Sequence, residues 1–152
     1  MANIGKWALS GVGVTSVLTT QLNSLVGSPP TISAASASYA NQTNLDLYVD
    51  IEVFLASLSP TAGAFVAIYV LEAVDGTNFP VQSDADLRLT STQLLCVLPI
   101  GVTAATAQRV TARNILLPPG LLQFKLDNQT GVALNASGNT VKTLPYNYNL
   151  NG

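Results

Sequence analysis

The spacing of three carboxylates is the feature of this sequence most similar to a catalytic site. Asp46, Asp50 and Glu52 have even numbers, so on one extended strand they would project from the same face. Two carboxylates on one face could flank a glycosidic bond and hydrolyse it. A catalytic carboxylate also needs a pocket that shifts its pKa, and the sequence gives no sign of one. We therefore favour the simpler interpretation, the solvated face of a one-sided sheet.

Other reactive side chains are scarce. Histidine is absent, which removes the side chain best suited to proton transfer near neutral pH and excludes Ser-His-Asp and Cys-His arrangements. Cys96 is the single cysteine; it lies in an apolar run, where we expect it to be buried as a small hydrophobe. Gly11-Val12-Gly13 lacks the third glycine of a dinucleotide fingerprint. We expect a protein that is not an enzyme and binds no cofactor.

A calcium site is the remaining chemical alternative. Asp75, Asp84 and Asp86 lie on neighbouring predicted loops and offer the hard oxygen ligands that Ca²⁺ takes. Their spacing does not match the EF-hand loop, and turn chemistry explains Asp75-Gly76 without a metal. We expect no metal here.

The composition limits the possible partners. The chain has 152 residues, of which 48% are hydrophobic and only 9% charged, against about 25% charged in an ordinary soluble domain. A surface with so little charge is typical of proteins that pack against others in an assembly. Nucleic acid is not expected, because the net charge is −2 and the six basic residues are scattered: Lys6, Arg88, Arg109, Arg113, Lys125 and Lys142. Without 18 consecutive apolar residues, no membrane partner is expected either.

Hydrophobic periodicity predicts the elements that would position these side chains. From 45 to 55, apolar residues at odd positions alternate with mostly polar residues, which predicts a half-buried strand with its odd positions inward. Further strands are expected near 32–39, 64–73, 94–99, 109–116, 121–128 and 140–144, separated by turn signals. This pattern predicts an all-β fold, an antiparallel β-sandwich or a barrel.

The N-terminal 30 residues differ from the rest of the chain. They are rich in Gly, Ser, Thr and Val, and Pro29-Pro30 separates them from the alternating part. We predict residues 1–30 as an N-terminal arm and 31–152 as the β-sandwich domain. Val14, Leu18, Leu22 and Leu25 have a spacing that could form one stripe of a short helix. An arm that orders only against a partner is an equal alternative.

Several turn-rich motifs carry a resemblance to a known family. The chain is similar to small virion proteins of tailed bacteriophages, above all capsid cement or decoration proteins. The resemblance spans roughly residues 45–146 and rests on these segments: Ser59-Pro60-Thr61-Ala62-Gly63, Val74-Asp75-Gly76-Thr77-Asn78-Phe79-Pro80, Leu117-Pro118-Pro119-Gly120, Asn128-Gln129-Thr130-Gly131 and Ala136-Ser137-Gly138-Asn139-Thr140.

The resemblance implies a structural role in a virion. Such proteins are commonly β-sandwiches, often jelly-rolls, that sit on the outside of the shell as homodimers or homotrimers and staple neighbouring major capsid proteins. The expected location is the capsid exterior, with the host cytoplasm during assembly. We further hypothesise that the arm extends from the sandwich and contacts a capsid protein or neighbouring subunit through these side chains: Trp7, Leu9, Val14, Leu18 and Leu22. The alternative is that this segment belongs to the core.

Two other functions stay open. One is another head or tail component, such as a head-fibre base or adhesin. The other is a carbohydrate-binding β-sandwich, which normally displays a row of exposed aromatic residues. The candidates for such a row are Tyr39, Tyr48, Phe79, Tyr146 and Tyr148, whose scatter along the sequence fits core and turn positions better.

Overall fold

The computed structural model describes residues 6–80 and 94–149 and confirms an all-β protein. Within these ranges the helical elements are a 3-10 turn at Thr20–Leu22 and one helical turn, α1 (Asn41–Asn44). The strands are β1 (Lys6–Leu9), β2 (Thr15–Leu18), β3 (Thr31–Ile32), β4 (Tyr39–Ala40), β5 (Tyr48–Leu58), β6 (Phe65–Ala73), β7 (Leu94–Pro99), β8 (Thr106–Leu116), β9 (Leu121–Gln129) and β10 (Thr140–Asn149).

The strands form two antiparallel sheets. The first has the order β1-β10-β5-β8, with β2 also paired to β10, and the second has the order β3-β9-β6-β7, with β4 also paired to β9. When β1 with β2 and β3 with β4 are each counted as one interrupted strand, each sheet has four strands, and the two strand orders are those of a jelly-roll. The architecture is therefore the predicted sandwich of jelly-roll type.

The core lies between the two sheets and follows the predicted alternation. Val49, Ile51, Val53 and Leu55 of β5 point inward and are at most 1% exposed. They pack in one cluster with residues of the opposite sheet, of which Phe124 is the largest fully buried side chain. A smaller cluster forms around Tyr69 and Leu71 of β6.

The predicted alternation fails at its first residues. Leu45 and Leu47 are exposed, whereas Asp46 is buried. The reason is α1, which ends at Leu45 in the left-handed conformation (φ 54°), so that β5 begins only at Tyr48. Asn41 holds the Asp46 backbone by accepting its N–H and donating to its carbonyl, which turns the Asp46 side chain inward.

The predicted strand near 32–39 is interrupted. Only its ends form β3 and β4, and between them Ser33 and Ser36 bond to β9. Each serine hydroxyl accepts a backbone N–H of that strand, from Leu126 and Phe124 respectively. Side-chain oxygens thus replace main-chain carbonyls in the ladder.

The N-terminal segment is not a separate arm, which corrects the predicted division at residue 30. β1 and β2 both pair with β10, and Leu18 and Leu22 are fully buried in the core. The predicted helix is reduced to the 3-10 turn, because the β-branched residues before it favour a strand. Within residues 6–80 and 94–149, no helix is long and apolar enough to cross a membrane.

Candidate binding surface

The outer face of the first sheet carries several aromatic and charged side chains. On β5 the even-numbered residues Tyr48, Asp50 and Glu52 face outward, opposite the inward core positions. The register places Tyr146, Leu144 and Lys142 of β10 beside them in the same order. One end of this face is therefore aromatic and the other is charged.

The aromatic end is a cluster of four rings, Trp7, Tyr48, Tyr146 and Tyr148. The Trp7 ring stands edge-on to all three tyrosines, with ring centroids 5.3 Å from Tyr146 and 5.2 Å from Tyr148. Tyr48 and Tyr146 stack at 5.7 Å. Each such pair contributes about 0.5–1.5 kcal/mol beyond the area that it buries. The cluster holds Trp7 in place although this side chain is 64% exposed.

A β-bulge in β8 shapes the middle of the face. Val49 pairs with Ile115 but Ile51 pairs with Ala112, so β8 holds one more residue than β5 across this interval. Asn114 adopts a positive φ of 57°, a conformation that asparagine tolerates better than most residues. The bulge re-aims the chain, and both Arg113 and Asn114 line the outer face.

Asp50 is fixed by the bulge. Its Oδ1 atom accepts the backbone N–H of Asn114 at 3.0 Å and the Tyr146 hydroxyl at 3.1 Å. The same hydroxyl lies 2.5 Å from the Asn114 side-chain oxygen Oδ1. The single hydroxyl hydrogen therefore has two acceptor oxygens within reach, one on Asp50 and one on Asn114. Two causes raise the pKa of Tyr146, burial as the larger and the hydrogen bond to Asp50 as the smaller.

The charged end holds one ion pair and two further cations. Arg109 Nη1 lies 2.6 Å from Glu52 Oε1, and its guanidinium lies 4.9 Å above the centre of the Phe54 ring. An exposed pair of this kind contributes about 0–1 kcal/mol. Arg113 and Lys142 line the same depression.

The two ends form one shallow groove across the sheet. Its aromatic half, about 370 Å³, has Trp7 and Leu9 on one side and Asn114 on the other. Its charged half, about 420 Å³, extends to Lys142. Asp50, Arg113 and Leu144 line both halves. The groove is large enough for several side chains of a partner.

The three carboxylates predicted to share a face do not. Asp50 and Glu52 lie in the groove, whereas Asp46 is buried and accepts hydrogen bonds from the Ser10 and Tyr39 hydroxyls. Burial and the bond to Asp46 raise the pKa of Tyr39 to about 12. Asp46 therefore anchors the β1–β2 connection to β4, a structural role.

The possible calcium ligands are only partly described. Asp75 closes its own turn, accepting from the backbone N–H groups of Thr77 and Asn78 and from the Asn78 side chain. These hydrogen bonds lower the pKa of the Asp75 carboxyl, and the two from Asn78 have the largest effect. Asp84 and Asp86 lie outside the described residues. In the part of the chain that the structure describes, no three potential metal ligands cluster.

Cys96 lies on β7 and packs against the core. It is partly exposed, whereas the sequence predicted a buried cysteine. Burial still raises the pKa of its thiol to about 11, so the thiolate is scarce at neutral pH.

The five predicted contact residues divide into two groups. Trp7, Leu9 and Val14 are 64%, 72% and 66% exposed, so a partner could reach them. Leu18 and Leu22 are fully buried in the core of the chain, so the prediction that they contact a partner is wrong. The four-residue spacing of Leu18 and Leu22 comes from a strand followed by a 3-10 turn, and not from an exposed apolar stripe on a helix.

The predicted aromatic candidates also divide. Tyr48, Tyr146 and Tyr148 meet in the cluster, whereas Tyr39 is buried against Phe124 and Phe79 joins the smaller cluster. Sequence reasoning missed Trp7 as the partner of these rings. The sequence did contain a signal for part of the cluster, because the spacing of two between Tyr146 and Tyr148 places both rings on one face of a strand.

Comparisons with known proteins found structural similarity at low sequence identity. No family model and no curated protein sequence matches the chain. A structure of Desmodium yellow mottle tymovirus is 9% identical, with 96% of this chain and 87% of that chain covered and a TM-score of 0.44. The CBM35 of Abf62 from Cellvibrio japonicus is 11% identical, with 97% and 98% covered and a TM-score of 0.42. The SPBc2 prophage-derived protein YomS is 12% identical, with 97% and 98% covered and a TM-score of 0.36. Likeness at this level does not separate a virion protein from a carbohydrate-binding module.

Proposed function

We propose that this chain is a virion structural protein, a capsid cement or decoration protein that binds the outer surface of the major capsid protein shell and bridges neighbouring subunits. The observation that carries the proposal is the exposed apolar edge formed by Trp7, Leu9 and Val14 at β1 and β2. A protein with only 9% charged residues does little to keep such an edge from associating.

The physical basis is the burial of this edge against the shell. Fully burying one large apolar side chain contributes about 1.5–3 kcal/mol. The edge is already ordered by its pairing with β10, so binding loses less conformational entropy than it would for a free arm. Because bridging engages two shell subunits at once, a modest affinity per contact becomes a large combined affinity.

A binding assay on shells tests the proposal. Shells assembled without this protein are mixed with the purified chain and sedimented, and the bound protein is quantified against its free concentration. We expect saturable binding of the wild type. The double variant Leu9→Ser/Val14→Ser should bind about tenfold or more weakly, since two exposed apolar contacts are lost.

The matched control is Val74→Ser. Val74 is 91% exposed in the turn after β6, so this change removes an apolar side chain without touching the proposed edge. It should bind shells like the wild type. Equal losses in both variants would show that the edge is not the contact surface.

The alternative virion placements give different results in the same assay. A tail component would sediment with tails and not with shells. A homodimer or homotrimer is expected for a cement protein, and light scattering of the purified chain measures its mass directly.

A further inference from the structure

The edges of the two sheets differ in how open they are to a further strand. In the described part of the chain, the first sheet ends in β1 and β2 on one side and in β8 on the other. β1 and β2 have four residues each. The second sheet ends in β3 and β4, with two residues each, and in β7, which has six residues and finishes at Pro99. Short or interrupted strands and proline discourage pairing at these three edges.

β8 lacks this protection. It has 11 residues, about twice the usual strand length. Among the described residues its main chain pairs only with β5, so every second residue of β8 turns its backbone N–H and C=O away from the sheet. The bulge at Asn114 disturbs one end, whereas the pairing from Gln108 to Ala112 is regular. This regular part contains neither proline nor lysine, so it is open to another strand.

Exposed apolar side chains flank the open edge. β7 contacts β8 on this side of the sandwich, and its Val97 is exposed. Val102, in the connection between the two strands, and Leu116, the last residue of β8, are exposed as well. A neighbour that paired with β8 would cover apolar surface in addition to forming main-chain hydrogen bonds.

The charge on the regular part of β8 is already neutralised within the chain. Arg109 lies 2.6 Å from Glu52 and covers the Phe54 ring, so it does not present a bare cation to an approaching strand. An edge that is nearly neutral can approach an identical edge, because a two-fold contact uses the same residues of both copies.

The positions of the arginines select a register for such a contact. In an antiparallel pair centred on Val110, Arg109 stands opposite Thr111 of the second copy, and Arg113 lies near its Ala107. A pair centred on Arg109 would set the two copies of Arg109 against each other. A pair centred on Thr111 would set Arg109 against Arg113. Like charges directly opposite destabilise strand pairing, which favours the centre at Val110.

We propose that β8 pairs with β8 of a second copy of this chain, antiparallel across a two-fold axis near Val110, so that the two first sheets become one continuous sheet. The inference deepens the proposed function, on which it rests for its biological role, because it explains how the protein bridges two shell subunits.

The dimer places the apolar β1–β2 edges at its opposite ends. Each copy contributes the order β1-β10-β5-β8, so a β1 strand ends the joint sheet on both sides. With four strands from each copy and about 4.8 Å between neighbours, the two edges lie roughly 34 Å apart. Each edge can therefore contact a different shell subunit, which is the bivalent arrangement that raises the combined affinity.

The mass of the purified chain in solution tests the pairing without shells. Light scattering is measured from about 1 to 100 µM, a range that detects dimers of micromolar affinity. We expect the mass of two chains for the wild type. Thr111→Lys places a lysine opposite Arg109 at two symmetry-related positions and should raise the dissociation constant about tenfold. Thr77→Lys, the matched control in the exposed turn after β6, should change it less than about twofold.

Cross-linking tests the register with a second pair of variants, both made in a Cys96→Ala background. Opposite Cα atoms lie about 4.5–5.5 Å apart in an antiparallel pair, within the span of a disulfide. Val110→Cys should therefore form a covalent dimer with oxidised glutathione. The two copies of Thr111→Cys would be offset by two residues, about 8 Å apart, and should remain uncoupled.

The outcomes separate this inference from the proposed function. A wild type that stays monomeric, or that has the mass of three chains, overturns the inference, and its binding to shells still decides the proposed function. A dimer that Thr111→Lys leaves intact and Val110→Cys does not cross-link also overturns it, because the copies then meet elsewhere. A cross-linked dimer that binds no shells supports the pairing and refutes the proposed function.

Discussion

Replacing Leu18 by alanine distinguishes a core N-terminal segment from a free arm. Leu18 ends β2, pairs with Val141 of β10 and is fully buried between the sheets. Truncating a buried leucine to alanine costs about 2–5 kcal/mol, because the transfer free energy is lost and a cavity remains. Leu9→Ala is the matched control, since Leu9 belongs to the same segment but is 72% exposed. That change should alter the free energy of unfolding by no more than about 0.5 kcal/mol.

Denaturant unfolding followed by circular dichroism measures both variants. We expect the Leu18→Ala midpoint to fall with an unchanged m-value, which is the signature of lost stability without a change in compactness. In a thermal scan, 2–5 kcal/mol corresponds to a decrease in Tm of about 4–20 °C for a domain of this size. If Leu18→Ala and Leu9→Ala unfold at the same midpoint, β2 is not packed in the core and the placement of the segment between the sheets is refuted.

Two further substitutions test local features. Gly27→Ala would place a methyl group against the carbonyl of Val132, so we expect a loss of about 1–3 kcal/mol in unfolding free energy. Gly11→Ala, where nothing lies nearby, should cost far less, and equal losses would contradict the close approach. The pKa of Tyr39 is raised to about 12 in the folded protein, whereas tyrosine in the unfolded chain ionises near pH 10. The contribution of Tyr39 to the free energy of unfolding is therefore fully present below pH 10 and is lost as the pH rises toward 12. Urea midpoints between pH 9 and 11.5 should fall less for Tyr39→Phe than for the wild type; parallel falls would exclude this cause.

The part of the fold that depends on local pattern could be predicted from the sequence. The alternation of Val49, Ile51, Val53 and Leu55 identifies β5, because a period of two with one apolar face is typical of a half-buried strand and not of a helix. Turn residues then separate the later strands, and the predicted bounds of β6, β7 and β9 lie within one residue of the observed ones. β8 begins three residues earlier than predicted, and β10 ends five residues later. The same reasoning failed at Leu45, where a left-handed residue that is not glycine ends α1 and shifts the pattern.

The candidate site depends on pairing between distant strands, which no local pattern contains. Trp7 meets Tyr148 only because β1 and β10, from opposite ends of the chain, are neighbours. Asn114 and Arg113 line the groove because of a bulge that lacks a glycine to mark it. The sequence predicts the N-terminal segment as an arm because β1 and β2 have only four residues each and are separated by Gly11 and Gly13. Strands this short contain too few alternating apolar positions to be recognised from the pattern.

Cryo-electron microscopy of shells saturated with the purified protein tests the central claim most directly. The account predicts ordered density for this sandwich on the outer surface, bridging adjacent capsid subunits, with the β1–β2 edge and the groove of the first sheet turned toward the shell. Shells without added density, or density in which this face points to solvent, would contradict it.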